Sequence, residues 1–289
     1  MSGTIYTGPA GWSYADWKGI VYPERGAVDE LALLCSLFDA VEVNGTFYRP
    51  PTESMTKSWI ERVAANPRFL FTLKLFRRFT HERDQIEPGD EAAFKKGLEP
   101  LAEAGKLGAL LLQFPYSFHN TPENKAVLVD LFDRFRDYPL VLEIRHRSWD
   151  TATVMESLAR HGVGFCNVDQ PNVSYSIPRT DHATSKVAYL RLHGRNRDQW
   201  FRKDAGAERY NYLYSLEELK EMVPMIRGLE NRTDTIFIIT NNHFGGQAVT
   251  NALQLQYMAT GKTPTPPESL VMHYPQLRDL STASEAAKE

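Results

Sequence analysis

The sequence has no long hydrophobic run and no surplus of charge of either sign. No apolar stretch approaches the roughly 18 residues that a membrane-spanning helix needs. No basic residue precedes Lys18, and no apolar segment with a cleavage site follows the start. We therefore expect a soluble, unexported protein. Its 33 Lys plus Arg and 36 Asp plus Glu give a net charge of −3, which excludes a protein that is basic or acidic throughout and leaves only local electrostatic specialisation.

Cysteine is also scarce, with two residues in 289. Cys35 and Cys166 each lie among apolar neighbours in a predicted helix or strand, which indicates buried thiols and not a disulfide framework. We therefore expect a reducing, cytoplasmic location. The rest of the composition is that of an ordinary globular protein, with 42% hydrophobic and 24% charged residues.

Eight short apolar runs follow one another at a spacing of roughly 33 residues. Such runs are typical of strands covered on both faces, and connections of this length suit crossover helices between parallel strands. Eight of them predict an α/β fold, a single (β/α)8 TIM-type barrel. The predicted strands are Ile5–Thr7, Ala40–Val43, Phe69–Leu75, Ala109–Phe114, Leu140–Ile144, Val163–Val168, Val187–Leu192 and Thr235–Thr240.

Helix signals fill most of the segments between these runs. The exception is 169–186, where Pro171, Pro178 and many polar residues leave no room for a full helix, so the barrel is predicted to be locally degenerate around its sixth helix. Residues 1–279 are expected to form one domain, and 280–289 a disordered tail. The helix signals are an apolar spacing over 31–38, a Thr121 N-cap followed by Pro122, an Asp150 cap for a helix ending at Gly162, and a Ser215–Glu218 capping box for a helix ending near Gly228.

Polar residues end most of the predicted strands. In a parallel barrel the active site forms at the carboxyl ends of the strands. Residues two apart on a strand share a face, so each polar pair at a strand end is predicted to point into the barrel mouth while the apolar residue between them faces the helices. The pairs are Glu42 with Asn44, Glu143 with Arg145, Asn167 with Asp169, and Arg191 with His193, joined by Lys74, Gln113, Asn241 and Asn242.

Interior salt bridges are the structural alternative for these residues. Glu42 and Glu143 would then simply pair with Lys74, Arg145 or Arg191. A buried ion pair is often no more stable than an apolar replacement, so charges kept for structure alone contribute little. We therefore favour a functional site.

Several motifs, in a specific order and spacing, carry a resemblance to a known family. They are Gly8-Pro9-Ala10-Gly11-Trp12, Glu42-Val43-Asn44-Gly45-Thr46-Phe47-Tyr48, Leu112-Gln113-Phe114-Pro115, Glu143-Ile144-Arg145 with Ser148-Trp149, Arg191-Leu192-His193-Gly194, and Asn241-Asn242. Over nearly its whole length the chain resembles the YecE-like proteins, also called domain of unknown function 72. The resemblance implies a TIM barrel and no particular reaction. The sequence departs from the family pattern at Pro9-Ala10, where small hydroxyl residues are more usual.

Different chemistries suit the residues at the strand ends. Glu42 and Glu143 could act as a general acid and base if apolar neighbours raise one pKa, a pattern that suits glycoside or sugar chemistry. Lys74 could instead form a Schiff base. A divalent metal held by Glu42, Glu143, Asp169 and His193 is a further alternative, but no close His or Cys ligand spacing supports it, and no cofactor is predicted.

Cationic residues gather in the loops predicted to follow the third, fifth and seventh strands. This group, the cationic rim, indicates an anionic ligand on a protein whose net charge is slightly negative. Gly245-Gly246 before a predicted helix over 247–260 suggests a phosphate-binding corner, because backbone N–H groups and a positive helix end would face the mouth. The rim comprises Lys74, Arg77, Arg78, Arg83, Arg145, Arg147, Arg191, Arg195, Arg197, Arg202 and Lys203.

The loop over 194–214 mixes arginines with aromatic residues. It is interpreted as a lid over the substrate, as a loop packed by its own aromatics, or as a surface that stacks on single-stranded nucleic acid. Its aromatic residues are Trp200, Phe201, Tyr210, Tyr212 and Tyr214.

The sequence therefore favours an enzyme, a hydrolase, isomerase or lyase, that acts on a small phosphorylated or acidic sugar-like anion. Single-stranded nucleic-acid binding through the cationic rim is the alternative, and no membrane partner is expected. Glu42 and Glu143 would divide the acid and base roles, and His193 would shuttle a proton. The predicted catalytic residues are Glu42, Lys74, Glu143 and His193, and the predicted substrate ligands are Asn44, Tyr48, Gln113, Arg145, Trp149, Arg191, Asn241, Asn242, Gly245 and Gly246.

Overall fold

Eight parallel strands form a nearly closed barrel and alternate with helices, which confirms the predicted fold. The structure is a computed structural model that describes residues 2–173, 175–200, 202, 206–278 and 280. The strands are β1 (Thr4–Pro9), β2 (Ala40–Val43), β3 (Leu70–Lys74), β4 (Leu107–Gln113), β5 (Leu140–Glu143), β6 (Gly164–Asp169), β7 (Val187–Leu192) and β8 (Thr235–Thr240). The α-helices are α1 (Glu30–Leu37), α2 (Glu53–Arg62), α3 (Asp90–Glu103), α4 (Pro122–Arg134), α5 (Ala152–His161), α6 (Leu216–Lys220), α7 (Val223–Glu230), α8 (Gln247–Thr260) and α9 (Glu268–His273).

The barrel closes where β1 meets β2. Hydrogen-bonded neighbours run from β1 to β8 and then in descending order to β2. A bridge between Ala10 and Glu42 joins the two ends, and Gly11 N donates to Glu42 O at 2.8 Å. Gly8 permits this approach, because a Cβ at that position would collide with the carbonyl oxygen of Ala40. The seam therefore brings Glu42 next to the loop that follows β1.

The pairing register determines which side chains enter the barrel. Residues paired across parallel strands face the same side, and Glu143 pairs with Gln113 while Arg191 pairs with Ile239. Below them, Tyr189 and Phe237 pack with their ring centroids 5.8 Å apart. The floor of the barrel is thus apolar and aromatic, and the charged residues lie above it at the carboxyl ends of the strands.

The predicted facing of β6 is wrong. Cys166 pairs with Tyr189, whose hydroxyl reaches across the barrel interior, so the alternate positions Asn167 and Asp169 face outward. The Asn167 amide accordingly donates to the carbonyl oxygen of His182, at 3.0 Å, in the segment that covers the outside of β6. Both faces of β6 are buried. The alternation of residue types along this strand therefore does not indicate which face points into the barrel.

The connection between β6 and β7 departs from the regular pattern, as predicted. No helix is assigned in the described residues 170–173 and 175–186. The segment instead returns toward the end of β5, where Ile177 N donates to Arg145 O at 2.8 Å and Arg147 N donates to Tyr175 O at 2.9 Å. This irregular segment takes the place of a crossover helix.

Helix beginnings agree with the sequence signals in most places. Thr121 caps α4, and Ser215 forms the predicted capping box. The cap of α5 is Thr151 and not Asp150, because the Thr151 side chain accepts from Val154 N. The helix predicted to continue from Ser215 to about residue 228 is instead two helices, α6 and α7, with a proline in the first turn of α7 that cannot donate a backbone hydrogen bond.

Both cysteines are buried free thiols, as predicted. Across the described part of the chain, no helix combines the length and the apolar character needed to cross a membrane. Leu280 is buried against the core, and 281–289, which belong to the predicted disordered tail, lie outside the described residues.

Candidate functional site

Arg191 lies in the middle of the barrel mouth and is 1% exposed. Its Nε and Nη2 donate to the two carboxylate oxygens of Glu42 at 3.0 and 2.6 Å. Its Nη1 donates to Glu143 Oε2 at 2.8 Å, and Nη2 also reaches Asn241 Oδ1 at 3.2 Å. A planar guanidinium can satisfy such a divergent set of acceptors, which a lysine cannot. One side chain from β7 therefore joins β2, β5 and the residue that follows β8.

A chain of hydroxyl groups supports Glu42 from below. Tyr189 donates its hydroxyl hydrogen to Glu42 Oε2 at 2.8 Å. The Thr72 hydroxyl lies 2.8 Å from the same phenol oxygen. Because the Tyr189 hydrogen is committed to the carboxylate, Thr72 is the donor in this second bond. Two side chains of β7 thus hold Glu42, and Thr72 of β3 supports it through Tyr189.

Glu143 is surrounded by nitrogen donors. Besides Arg191, Arg145 donates from Nε and Nη2 to Glu143 Oε1 at 3.1 and 3.0 Å, and His193 Nε2 lies 3.3 Å from the same oxygen. Burial alone would raise the pKa of Glu143, but Arg191, His193 and Arg145 hold it well below its ordinary value. Glu143 is therefore ionised at neutral pH and cannot act as a general acid there.

His193 is completely buried and neutral. Burial, followed by the charge of Arg145, lowers the pKa of His193 to about 3. Asn241 Oδ1 accepts from Arg191, so the Asn241 amide nitrogen faces His193 Nδ1, 3.0 Å away, and donates to it. The imidazole hydrogen must then lie on Nε2, toward Glu143. This arrangement favours a positioning role for His193 over the expected proton shuttle.

Lys74 is the group of this site whose charge changes near neutral pH. Burial, followed by the nearby charge of Arg191, lowers the pKa of Lys74 to about 7, although Glu42 and Glu143 oppose the shift. Its Nζ lies 4.7 Å from the centroid of the Phe47 ring. The amine is therefore shared between its charged and neutral forms at pH 7.

A cavity of about 280 Å³ opens above these residues, at the carboxyl ends of the strands. We call it the central cavity. Most of its lining residues were predicted as site residues, but three were missed. Tyr14 lies in the loop after β1, and that strand ends without a polar pair. Tyr210 was considered only as an aromatic residue of its loop. His243 lies beyond the strand end, where the predicted site residues were sought. The lining residues are Tyr14, Asn44, Tyr48, Lys74, Gln113, Arg145, Arg191, Tyr210, Asn241 and His243.

Trp149 and Asn242, two of the predicted substrate ligands, lie away from the central cavity. Trp149 is buried, stacks on Phe118 with ring centroids 5.2 Å apart, and donates from Nε1 to Phe118 O at 2.7 Å. The Asn242 amide donates to Tyr212 O and to Asn251 Oδ1, both at 2.8 Å. These contacts hold the surrounding loops in place.

The expected phosphate corner is filled by a side chain of the protein itself. Gly245 N donates to Asp16 Oδ2 at 2.6 Å, so a carboxylate already binds the turn that precedes α8. Gly246 packs beneath Val21 and Ile20, and its N–H points to His243 O at 3.4 Å. This geometry disagrees with the prediction of Gly245 and Gly246 as substrate ligands.

Much of the cationic rim is neutralised by neighbouring carboxylates. Three arginines on the loops after β3 and β7 form ion pairs of 2.8 to 3.3 Å, so their charge is already balanced by the protein. Lys203 lies outside the described residues. The pairs are Arg77 with Glu82, Arg78 with Glu87 and Asp90, and Arg195 with Asp169 and Glu218.

The aromatic loop after β7 packs inward. Trp200 is 7% exposed, and its ring lies edge-on to His193 at a centroid distance of 6.0 Å. Tyr214 is buried and donates its hydroxyl hydrogen to Asp169 Oδ1 at 2.8 Å. Phe201 lies outside the described residues. The contacts of Trp200 and Tyr214 favour the packed-loop interpretation.

The four residues considered as metal ligands do not form one cluster. Glu42 and Glu143 both bind Arg191, and Asp169 lies on the outward face of β6 beside Arg195. Within the described ranges, no three His, Cys, Asp or Glu side chains are grouped as a metal site would require.

Three comparisons relate this chain to known proteins. The family described as "Protein of unknown function DUF72" matches residues 6–271. UPF0759 protein YunF of Bacillus subtilis (strain 168) is 30% identical over 267 residues, which cover 87% of this chain and 93% of YunF. The crystal structure of a DUF72 family protein from Thermotoga maritima MSB8 is 35% identical, with a TM-score of 0.79 over 88% of this chain and 98% of that one. A DUF72 family protein from Enterococcus faecalis V583 is 25% identical, with a TM-score of 0.80 over 92% of this chain and 99% of that one.

Proposed function

The chain belongs to the DUF72 family, as its motifs indicated, and from this premise we propose that it is an enzyme acting on a small, hydroxyl-bearing anion in the central cavity. The observation that carries the proposal is a charge imbalance. Lys74, Arg145 and Arg191 provide three positive charges, whereas Glu42 and Glu143 provide two negative ones. With Lys74 protonated the group carries one excess positive charge, which an anionic substrate would balance.

Arg145 and Lys74 are the cations that a substrate can reach. Arg145 lines the central cavity, and its Nη1 makes no hydrogen bond to any described residue, whereas Arg191 is engaged on all three of its nitrogens. Arg145 would therefore bind the anion whatever the protonation state of Lys74. Lys74 would bind it only in its ammonium form, so anion binding and protonation of Lys74 favour one another.

Lys74 is also the group best suited to exchange a proton with the substrate. General acid and base catalysis is most efficient when the catalytic pKa lies near the working pH, and Lys74 has a pKa of about 7. The two glutamates would position Arg191 and Arg145 instead of transferring protons. This division of roles replaces the acid and base pair expected from the sequence.

Gln113 supports a hydroxyl-bearing substrate. Its Oε1 is buried and accepts no hydrogen bond from the described residues, and the side chain lines the central cavity. An unpaired buried acceptor is costly, so a donor on the ligand would restore the missing bond. Phosphorylated or carboxylated sugars combine such a donor with a negative charge.

The experiment is a screen for binding followed by a test for proton exchange. The purified protein is titrated by calorimetry with phosphorylated and carboxylated sugars of three to seven carbons. Compounds that bind are incubated with it in D2O, and loss of substrate carbon-bound hydrogen signals is followed by NMR. We expect exchange or turnover with at least one compound, and its loss in Lys74→Met.

Lys186→Met is the matched control, because the Lys186 side chain is 87% exposed and pairs with Asp234 on the surface. It should leave binding and exchange unchanged. If no sugar anion binds, or if Lys74→Met exchanges as fast as the native protein, the proposal is rejected. Tighter binding of single-stranded DNA than of any sugar anion, with a steep salt dependence, would favour the nucleic-acid alternative.

A further inference from the structure

A second and larger cavity adjoins the central cavity. Its volume is about 460 Å³, within the range of small-molecule sites. It shares Tyr14 and Asn44 with the central cavity, so these two side chains form a common wall. We call it the side groove. Its lining residues are Gly11–Tyr14, Val43–Thr46, Arg49, Pro51, Met55, Trp59 and Arg62.

The walls of the side groove are aromatic and apolar. Trp12 and Trp59 meet edge to face, with ring centroids 5.8 Å apart and an interplanar angle of 81°. Trp59 is 7% exposed, so surrounding packing fixes its ring, and Met55 lines the groove as well. Flat indole rings and a polarisable thioether form good contacts with an aromatic or apolar group.

The charges on the side groove are cationic. Arg62 is already bound to Asp29 through hydrogen bonds of 2.6 to 3.0 Å. Arg49 is exposed, and the lining includes no carboxylate to attract a positively charged group. The side groove therefore suits an uncharged or anionic group and disfavours a cation.

We propose that the substrate is an amphiphilic anion, with its acidic group in the central cavity and an aromatic or apolar group in the side groove. The inference rests on the proposed function, because the central cavity supplies the binding site for the acid. Tyr14 is held at the boundary, where its hydroxyl donates to Ala10 O at 2.6 Å. A small sugar phosphate would fill only the central cavity and leave the tryptophan walls uncovered.

Gly45 is a position at which a side chain can be added to the lining of the side groove. It lines the groove, and a Cβ at this position would meet no atom within 4 Å. The side chain of Gly45→Leu would therefore extend into open space. Gly228→Leu is the matched control, because Gly228 lies on α7 and an added Cβ would make only an ordinary contact, 3.8 Å from Arg232.

Methyl phosphate and phenyl phosphate are the probes, because they carry the same acidic group and differ in the ring. Calorimetry on the native protein should show that phenyl phosphate binds at least about tenfold more tightly, since the ring buries additional apolar surface. In Gly45→Leu this preference should fall below about threefold, with methyl phosphate affinity unchanged. Gly228→Leu should keep the native preference.

The outcomes separate this inference from the proposed function. If neither phosphate binds, this inference fails, and the proposed function is judged by the sugar anions of its own screen. If both bind equally well to the native protein, or if Gly45→Leu keeps the full preference, the side groove is not part of the site although the proposed function stands. If Gly45→Leu does not fold, Met55→Trp replaces it in the test. Its larger side chain fills the groove from α2, and its affinities for the two phosphates are compared in the same way.

Discussion

Replacement of Arg191 by methionine is expected to destabilise the protein strongly. Methionine has a similar length but removes the guanidinium, which makes hydrogen bonds of 2.6 to 3.0 Å to Glu42 and Glu143. Removing one partner of a buried ion pair costs about 3–5 kcal/mol, because an uncompensated charge stays buried. Among the described residues, Glu143 keeps Arg145, whereas the Glu42 carboxylate keeps the Tyr189 hydroxyl as its hydrogen-bond donor. We therefore expect a loss of about 4 kcal/mol at pH 7.

The loss should depend on pH in a definite direction. In the native protein the pKa of Glu143 is held well below its ordinary value. Its stabilising effect is therefore complete above the unfolded-state pKa of about 4.3 and is lost as the pH falls through the lower native value. Without Arg191, Glu143 keeps Arg145, so its native pKa is lowered less and the variant loses less stability as the pH falls below about 4.3. The difference between the two proteins should narrow from pH 7 to pH 3.

Urea unfolding at both pH values, followed by tryptophan fluorescence, measures this difference. Arg227→Met is the matched control, because the Arg227 side chain is 49% exposed and forms a surface pair with Glu230. Such pairs contribute about 0–1 kcal/mol. If Arg191→Met also lost less than about 1 kcal/mol of unfolding free energy, or if its loss were independent of pH, the charges of Arg191, Glu42 and Glu143 would not form desolvated ion pairs.

Other measurements test separate features. Under the proposed function Lys74, with a pKa of about 7, binds an anion only as an ammonium, so the affinity for sulfate, whose charge is constant over this range, should fall as the pH rises from 6 to 8 in calorimetry, and Lys74→Met should remove this trend. The free energy of unfolding should rise with pH between about 7 and 10.4, because Lys74 keeps its proton there in the unfolded chain and loses it in the native protein. In Lys74→Met the urea midpoint should not change with pH over this range, which checks that the rise comes from Lys74. Cys35 and Cys166 are buried, so a thiol reagent should react with neither in the native protein and with both in denaturant. Ser215→Ala should cost about 1 kcal/mol in urea unfolding, because it breaks the cap of α6, whereas Ser215→Asp should retain most of that stability.

The barrel could be predicted from the sequence because its strands are apolar on both faces and end in polar residues. The same property explains the error at β6. Residues 164–169 are all buried, and the outward Asn167 and Asp169 are satisfied by a later segment and a loop arginine, so alternation did not distinguish the two faces. Pairing across the barrel then determined which face was internal.

The charged part of the site could also be predicted, but its division of roles could not. Which carboxylate meets which arginine depends on distances between β2, β5 and β7, and these are not encoded in local spacing. Asp16 and Gly245 are 229 residues apart in the chain, and no local sequence pattern predicts their contact. Tyr14 was missed for a related reason, because β1 ends in Pro9 and offered no polar signal.

The contact of Asp16 with Gly245 has a consequence for how this protein can change over evolution. A barrel that holds phosphate with backbone N–H groups keeps that affinity through most substitutions, because every residue except proline supplies the same donor. Here the carboxylate of Asp16 takes one such donor, and the cations of the central cavity are the side chains of Lys74, Arg145 and Arg191. Under the proposed function, anion binding depends on these three side chains, so a single substitution in a relative with the same backbone would change the anion that it binds.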